Sequence, residues 1–399
     1  MRVLISGASI AGPVLAYWLT EYGFDVTVVE RAPTLRKTGG HAVDLFRPAM
    51  DISEKMGVVT QIEKSATRMD RGTMFQEGVA RPVRVDIGKV FEATSDRHVE
   101  ILRDELSEIY YDATRGGVEY VFGDSITSIA EGDVTFENGP ARQFDIVVGA
   151  DGLHSNVRKL VFGEARSTFI GAYLTVMTVP KEISTDGEYT FHLGAGRIAA
   201  VYSSEHMADG RALFLFRSPE LAYHHRDVPR QKDLLRAAYA GMHPTVDRWL
   251  AELDSTPAFY FDSITQLQMD TWSRGRVTLV GDAGYCPGAA VGGSTSMAVI
   301  GAYVLAGELA AANGDYARAF ASYEREMMEF VRESRAFALR AAKTLVPGSR
   351  FGVWALVRGS RLASVMPVGV TRALAKLANK GPRMHDSMVV KQYDDLRVR

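Results

Sequence analysis

The sequence holds a single cysteine, Cys286, among 399 residues. One thiol excludes an intramolecular disulfide and any cysteine-rich zinc or iron–sulfur centre. No histidine, cysteine and carboxylate run has metal-ligand spacing either. Charge of one sign is also missing. The formal net charge is −2 at pH 7, so no global field draws the chain to nucleic acid or to an anionic membrane. Repeats and low-complexity tracts are absent. The sequence reads as lacking a secretory leader, because "VLIS" already has the character of a core strand at residue 3. Only one apolar run is long, "STSMAVIGAYVLAGELAAANG". Glu308 interrupts it and Ala and Gly dominate it, which predicts a buried helix rather than a membrane span. A lone thiol fits a cytoplasmic location.

What the chain does have is an ordinary globular composition, 46% hydrophobic and 24% charged, with length enough for two domains. It also has glycine turns at telling places. "MRVLISGASIAGPVLAYWLTEYGFDVTVVER" reads as strand, glycine turn, helix, strand and acidic residue, the opening of a dinucleotide-binding unit. Gly7 permits the tight turn and Gly12 lets the helix pack on the strand. Ser9 stands where the fingerprint has its middle glycine. A helix N-terminus after such a turn offers free N–H groups to a pyrophosphate, which makes Gly7, Ser9, Ile10, Ala11 and Gly12 cofactor candidates. Glu30, followed by Arg31, ends the second strand, where a carboxylate meets ribose hydroxyls.

Two further segments repeat the theme. "DIVVGADGLHSNVR" and "GRVTLVGDAGYCPGAAVGGSTSMA" are strands that end in Asp-Gly or Gly-Asp turns ahead of helix-like runs, and the carboxyl ends of such strands are where open α/β sheets bind ligands. The spacing predicts helices over 46–57, 99–115, 294–312 and 315–344. It predicts two or three antiparallel strands over 117–139. From about 166 to 270 the texture becomes strand-like and aromatic, with one helix near 230–253. The domain reading is therefore a discontinuous unit, 1–165 with 271–345, an inserted β-rich unit, 166–270, and a helical tail, 346–399. The tail is read chiefly as a bridge between the two units. Docking to a membrane or a carrier protein is the lesser alternative.

The three motifs, in this order, resemble those of class A flavoprotein monooxygenases, the para-hydroxybenzoate hydroxylase-like group, over nearly the whole chain. The tetracycline-inactivating monooxygenases are the branch it most resembles. The resemblance implies an α/β fold with a Rossmann-like FAD-binding domain, an inserted β-sheet substrate domain and a C-terminal helical segment. It implies FAD in the first site, with Glu30 on the adenosine ribose, Asp282 near the ribityl chain, Arg103 of "EILRDEL" reaching the cofactor, and Asp151 helping to place it. Asp44 and Arg36 follow from the match of "ERAPTLRKTGGHAVDL", with a one-residue insertion. Asp44 would touch FAD, whereas Arg36 and Arg158 would meet the nicotinamide. A salt bridge is the alternative role for Arg158. Pro287 is retained, and Gly292, Gly293 and Ser294 stand where the family commonly has G-Q-G.

The implied reaction is hydroxylation of an aromatic or polyketide-like molecule through a flavin hydroperoxide. NADPH or NADH would serve as a transient reductant and O2 as co-substrate, in a monomer or homodimer. The alternative is the same fold with oxidase chemistry, or a cyclase with a structural flavin. No residue is required as a nucleophile, and excluding water is the main task. On strand alternation His192, Tyr202, Phe214 and Phe216 are the substrate-side candidates. Cys286 reads as packing.

Overall fold

The computed structural model describes the chain apart from residues 36–38, 90–94, 96, 289–292, 368, 371–387 and 399. The chain opens with β1 (Arg2–Ser6), α1 (Ala11–Glu21) and β2 (Asp25–Glu30). It continues through β3 (Ala42–Leu45), α2 (Arg47–Lys55), α3 (Val59–Lys64), β4 (Arg71–Gln76), β5 (Val83–Asp86) and β6 (Val99–Leu102), which runs straight into α4 (Arg103–Asp112). Next come β7 (Glu119–Phe122), β8 (Ile126–Ala130), β9 (Asp133–Phe136), β10 (Arg142–Gln143), β11 (Ile146–Gly149) and α5 (Asn156–Phe162). The β-rich stretch holds β12 (Arg166–Val179), β13 (Glu188–Gly194), β14 (Arg197–Tyr202), β15 (Gly210–Arg217), α6 (Val228–Tyr239), α7 (Pro244–Ala251) and β16 (Phe259–Gln268). β17 (Ser273–Arg274), β18 (Val277–Leu279), α8 (Asp282–Tyr285), α9 (Ser294–Ala311), α10 (Tyr316–Leu345) and α11 (Arg350–Val365) follow.

Two large sheets organise the molecule. The first has the order β17-β18-β11-β1-β2-β7 and the second β16-β12-β15-β14-β13-β4-β5. In the first, β18, β11, β1, β2 and β7 run parallel. Their "VLIS", "IVVG" and "VTL" runs are buried on both faces, which is why they read as unbroken apolar stretches instead of alternating ones. Parallel pairing also puts the carboxyl ends of β1, β11 and β18 on one edge, so all three glycine turns emerge together. The long apolar run forms α9, packed against α1, α2 and α10. It alone among the described helices is long and apolar enough to span a bilayer, and 78% of it is buried inside the protein.

The second sheet differs from the sequence reading in one respect. It recruits β4 and β5 from the first segment, with β4 parallel to β13. A pairing across more than a hundred residues leaves no local periodicity to detect. Three smaller differences have local causes. The "VEIL" ahead of α4 is a strand, paired antiparallel with β3, so the helix expected over 99–115 starts only at Arg103. β7 joins the first sheet in parallel beside β2; only β8, β9 and β10 form the antiparallel set. The helix expected over 230–253 is two, because Gly241 turns the chain at φ +64° and Pro244 opens a new first turn.

The tail has contacts in two places. Val353 and Val357 of α11 pack with Met74, Val85 and Leu193 of the second sheet. Residues 388–398 return to the first unit, where the Tyr393 ring fills a slot that a β-carbon on Gly307 would enter. Tyr393 Oη donates to the buried Glu308 at 2.6 Å.

Candidate functional site

The glycine turn after β1 is fixed by close approach. Gly7 has φ +110°, and a β-carbon there would lie 2.5 Å from the Ala150 carbonyl oxygen, at the end of β11. A β-carbon on Gly12 would lie 1.9 Å from the Gly7 carbonyl oxygen. Only glycine fits either place. α1 then opens at Ala11 with no side-chain cap and no acidic residue in its first turn, which leaves its positive end for an anion. Ile10 and Ala11 are buried beneath the turn. Ser9 lies beside it: its Oγ accepts from Arg103 Nη2 at 3.3 Å, and its carbonyl accepts from Ser107 Oγ at 3.0 Å. Glu30 accepts the Ala8 N–H and the Ala32 N–H, both at 2.9 Å, so its carboxylate is held at the lip of the turn. Arg31 projects to solvent. A cradle that a β-carbon would fill, an uncapped helix and a carboxylate at the second strand's end fit the pyrophosphate and ribose of FAD.

The other two turns divide their roles. Asp151 caps α5, accepting from Ser155 Oγ and from the Asn156 and Val157 N–H groups at 2.8 and 3.1 Å. Burial raises its pKa, and those hydrogen bonds oppose the rise. Arg158 is buried and donates to the Ala283 and Leu153 carbonyls at 2.8 and 2.6 Å. It therefore clamps the Asp-Gly turn to the Gly-Asp turn. The structure gives the Arg158 side chain these two carbonyls as partners, and the Asp151 carboxylate bonds the first turn of its helix.

Asp282 opens α8 behind Gly281, which has φ +66°. Burial pushes its pKa up, and the charge of Arg103 pulls it down. The Cys286 thiol is buried and contacts the Thr265 carbonyl at 3.7 Å, with burial and Asp282 holding it far from ionisation. Pro287 accepts from Gln266 Nε2 at 3.0 Å; the same nitrogen donates to the Arg335 carbonyl at 2.8 Å. Gly293, at φ +90°, precedes Ser294, the first residue of α9, whose N-terminus again has no side-chain cap and no acidic first turn. Gly292 and Arg36 lie outside the described residues.

Asp44 comes to the same space from β3. Its Oδ1 meets His98 Nε2 at 2.7 Å. Ser296 Oγ ties β3 to α9 by accepting the Phe46 N–H at 3.0 Å and contacting the Asp44 carbonyl at 3.3 Å. The Arg103 N–H donates to the His41 carbonyl at 3.0 Å. Burial and Arg103 lower the His41 pKa to about 3, so this imidazole is neutral. It lies 5.5 Å from the Tyr260 ring. Sequence reasoning missed His41, Tyr260 and Gln266, since nothing in their spacing marks them. Among the described residues no group of three His, Cys, Asp or Glu could hold a metal ion.

The second sheet shows its faces clearly. Phe214 and Phe216 pack with Tyr239, Val246 and Trp249 of α6 and α7. His192 lies on that face too, 4.9 Å from Phe75, 4.3 Å from His243 and 5.3 Å from Trp249. Burial lowers its pKa to about 4. These three expected substrate-side residues therefore face helices. Alternation defines two faces and does not say which one a helix pair will claim. The opposite face carries Tyr202, whose Oη accepts the Ala42 N–H at 3.0 Å. It also carries Arg211, whose Nε donates to Gly40 at 3.1 Å, and Tyr189, whose Oη donates to Glu100 at 2.9 Å. Glu100 is held by Thr67 as well; burial, then Asp44, push its pKa up to about 7.

Comparison with known proteins follows this geometry. The FAD binding domain family matches residues 1–338. A flavin-dependent monooxygenase of Legionella longbeachae is 35% identical over 352 residues, spanning 87% of this chain and 90% of the relative. Monooxygenase CTB7 of Cercospora beticola is 33% identical over 381 residues, spanning 89% and 90%. The crystal structure of tetracycline destructase Tet(51) superposes with a TM-score of 0.82 at 30% identity, over 98% of this chain and 99% of that one. The family match takes in the turn at Gly7, the turn at Asp151 and the turn at Asp282 alike, and the chain belongs to the FAD-binding-domain family as an FAD-dependent monooxygenase.

Proposed function

We propose that the protein hydroxylates an aromatic or polyketide-like small molecule, with NADH or NADPH as transient reductant and O2 as co-substrate. The observation that carries this reading is the face of the second sheet turned away from α6 and α7, where Tyr260 lies 5.5 Å from His41, Tyr202 accepts the Ala42 N–H and Tyr189 donates to Glu100. An aromatic wall beside a dinucleotide cradle suits a flat, electron-rich substrate. The name of Tet(51) points to a polyketide of the tetracycline kind.

FAD, when bound, carries electrons from the nicotinamide to O2 and delivers one oxygen atom to the substrate. This chain's residues bind and orient. Gly7 and Gly12 keep backbone close to the pyrophosphate, and the α1 N-terminus offers it donors. Glu30 stands ready for the ribose hydroxyls and Asp282 for the ribityl hydroxyls. Arg103, between Ser9 and Asp282, balances the carboxylate. The uncapped N-terminus of α9 at Gly293 and Ser294 supplies positive potential for negative charge on the ring system. His41, neutral and packed near Tyr260, helps exclude water. On this reading 1–165 with 271–345 is the cofactor unit, 166–270 with the borrowed β4 and β5 is the substrate unit, and 346–399 spans both.

The test is a panel of aromatic and polyketide compounds, scored by stimulated NADH or NADPH oxidation and by a product mass gain of one oxygen atom. Substrate-stimulated oxidation with that mass gain supports the reading. Stimulated oxidation that yields only hydrogen peroxide across a broad panel would overturn it.

A further inference from the structure

The inner face of α11 packs on the second sheet through Val353 and Val357, and its outer face has no partner within the described residues. Phe351 is 75% exposed, Trp354 46%, Leu362 57% and Val365 70%. The positions 351, 354, 358, 362 and 365 recur at helical spacing and form one stripe opposite the buried Val353 and Val357. Phe351 and Trp354 stack at 5.7 Å. Arg358 stands in the middle of the stripe, with Arg350 and Arg361 beside it, all exposed. None of the three pairs with a carboxylate among the described residues, and no Asp or Glu occurs between Arg350 and Val365. Soluble surfaces rarely carry large apolar groups so densely.

We propose that this face docks on an anionic lipid surface, with Phe351, Trp354, Leu362 and Val365 entering the headgroup boundary and the arginines meeting lipid phosphates. The composition is that of an interfacial helix: aromatic and aliphatic groups on one side and arginines at its margins. A second copy of the chain is the poorer occupant. A two-fold contact sets a patch against itself, and the midpoint between Phe351 and Val365 is Arg358, so two antiparallel copies would bring Arg358 against Arg358. Cover by the chain's own stretch 371–387 meets the same objection, since that stretch carries Arg372, Lys376, Lys380 and Arg383 against one acidic residue, Asp386. The weak net charge of the whole chain does not oppose docking, because surface attraction acts within a Debye length of the patch. Since α11 packs on β4, β5 and β13, docking holds the open edge of the second sheet at the membrane, where an apolar substrate would concentrate.

The experiment uses the full-length FAD-loaded protein and vesicles of equal parts phosphatidylcholine and phosphatidylglycerol, with pure phosphatidylcholine as the control. Trp354 is the exposed member of four tryptophans; Trp18, Trp249 and Trp272 are buried. Flotation with the mixed vesicles, a blue shift of tryptophan emission and protection from iodide quenching are the expected results. Phe351→Ser with Trp354→Ser should weaken vesicle affinity by about tenfold or more. Arg358→Gln with Arg361→Gln should lower it several-fold, more at low salt than at high. Both double variants alter exposed side chains and should keep the flavin spectrum and the melting temperature. Failure to float, or a solution dimer that Phe351→Ser with Trp354→Ser dissolves, overturns the proposal.

Discussion

A β-carbon on Gly12 would lie 1.9 Å from the carbonyl oxygen of Gly7. The first turn of α1 thus touches the turn that precedes it, and no rotamer can relieve an added methyl because backbone meets backbone. Gly12→Ala should push α1 off its strand, at a cost of about 3 kcal/mol, and the purified protein should lose most of its FAD. Absorbance of the purified flavin and thermal unfolding read the two effects. Ser9→Gly is the contrast, since Ser9 is held through Arg103 and Ser107 and the backbone would face the phosphates. It should bind FAD as tightly as the parent; a tenfold loss would make the serine hydroxyl a ligand in its own right.

Arg158 is a clamp. Its guanidinium joins the Leu153 and Ala283 carbonyls, so Arg158→Met removes the donor from one buried and one part-buried acceptor. The expected cost is about 2–4 kcal/mol of stability. The KM for NADH or NADPH should not change selectively in whatever variant remains folded. A large rise in that KM, with the melting temperature intact, would assign Arg158 the nicotinamide role.

Glu100 gives the molecule a pH signature. Burial, reinforced by Asp44, raises its carboxyl to about 7 in the folded protein, against hydrogen bonds from Thr67 and Tyr189 and the nearby charge of His98. Between the ordinary carboxylate range and pH 7 the folded state therefore holds a proton that the unfolded chain has released. Stability falls as pH rises through that window. The loss is on the order of 2–3 kcal/mol by neutral pH. Melting temperatures measured from pH 5 to 8 should decline more steeply in the parent than in Glu100→Gln. Parallel profiles would mean that Glu100 ionises elsewhere.

The first sheet and its turns were legible because close backbone approach demands glycine, and glycine leaves a mark in sequence. Gly7, Gly12 and the Gly-Asp turn that holds Gly281 stood out that way, and the strand ending in Glu30 showed as a β-branched run. Asp151 and Arg158 were found too, yet their partners are backbone atoms that sequence does not name. The second sheet was less legible. Its strands were visible, but β4 joins β13 across the chain, and the choice of inner face rests on where α6 and α7 settle. His41 and Gln266 acquire their places only through contacts made by the finished fold.

Tyr202 and His192 test that choice of face directly. The Tyr202 hydroxyl accepts the Ala42 N–H and so holds β3 beside the cofactor cradle. Tyr202→Phe keeps the ring and orphans that N–H, which costs about 1–3 kcal/mol. FAD affinity should fall with it, because Asp44 lies on the same short strand. His192 stacks between Phe75, His243 and Trp249 behind the sheet, and its pKa is lowered to about 4 by burial and the neighbouring His243. Because this imidazole is held neutral when folded, its contribution is lost only as pH falls below the ordinary histidine range. His192→Phe should therefore leave KM for any accepted substrate unchanged and make the protein more resistant to unfolding between pH 4 and 6. A rise in KM for His192→Phe, with Tyr202→Phe silent toward FAD, would turn the sheet around and put the substrate on the α6–α7 side.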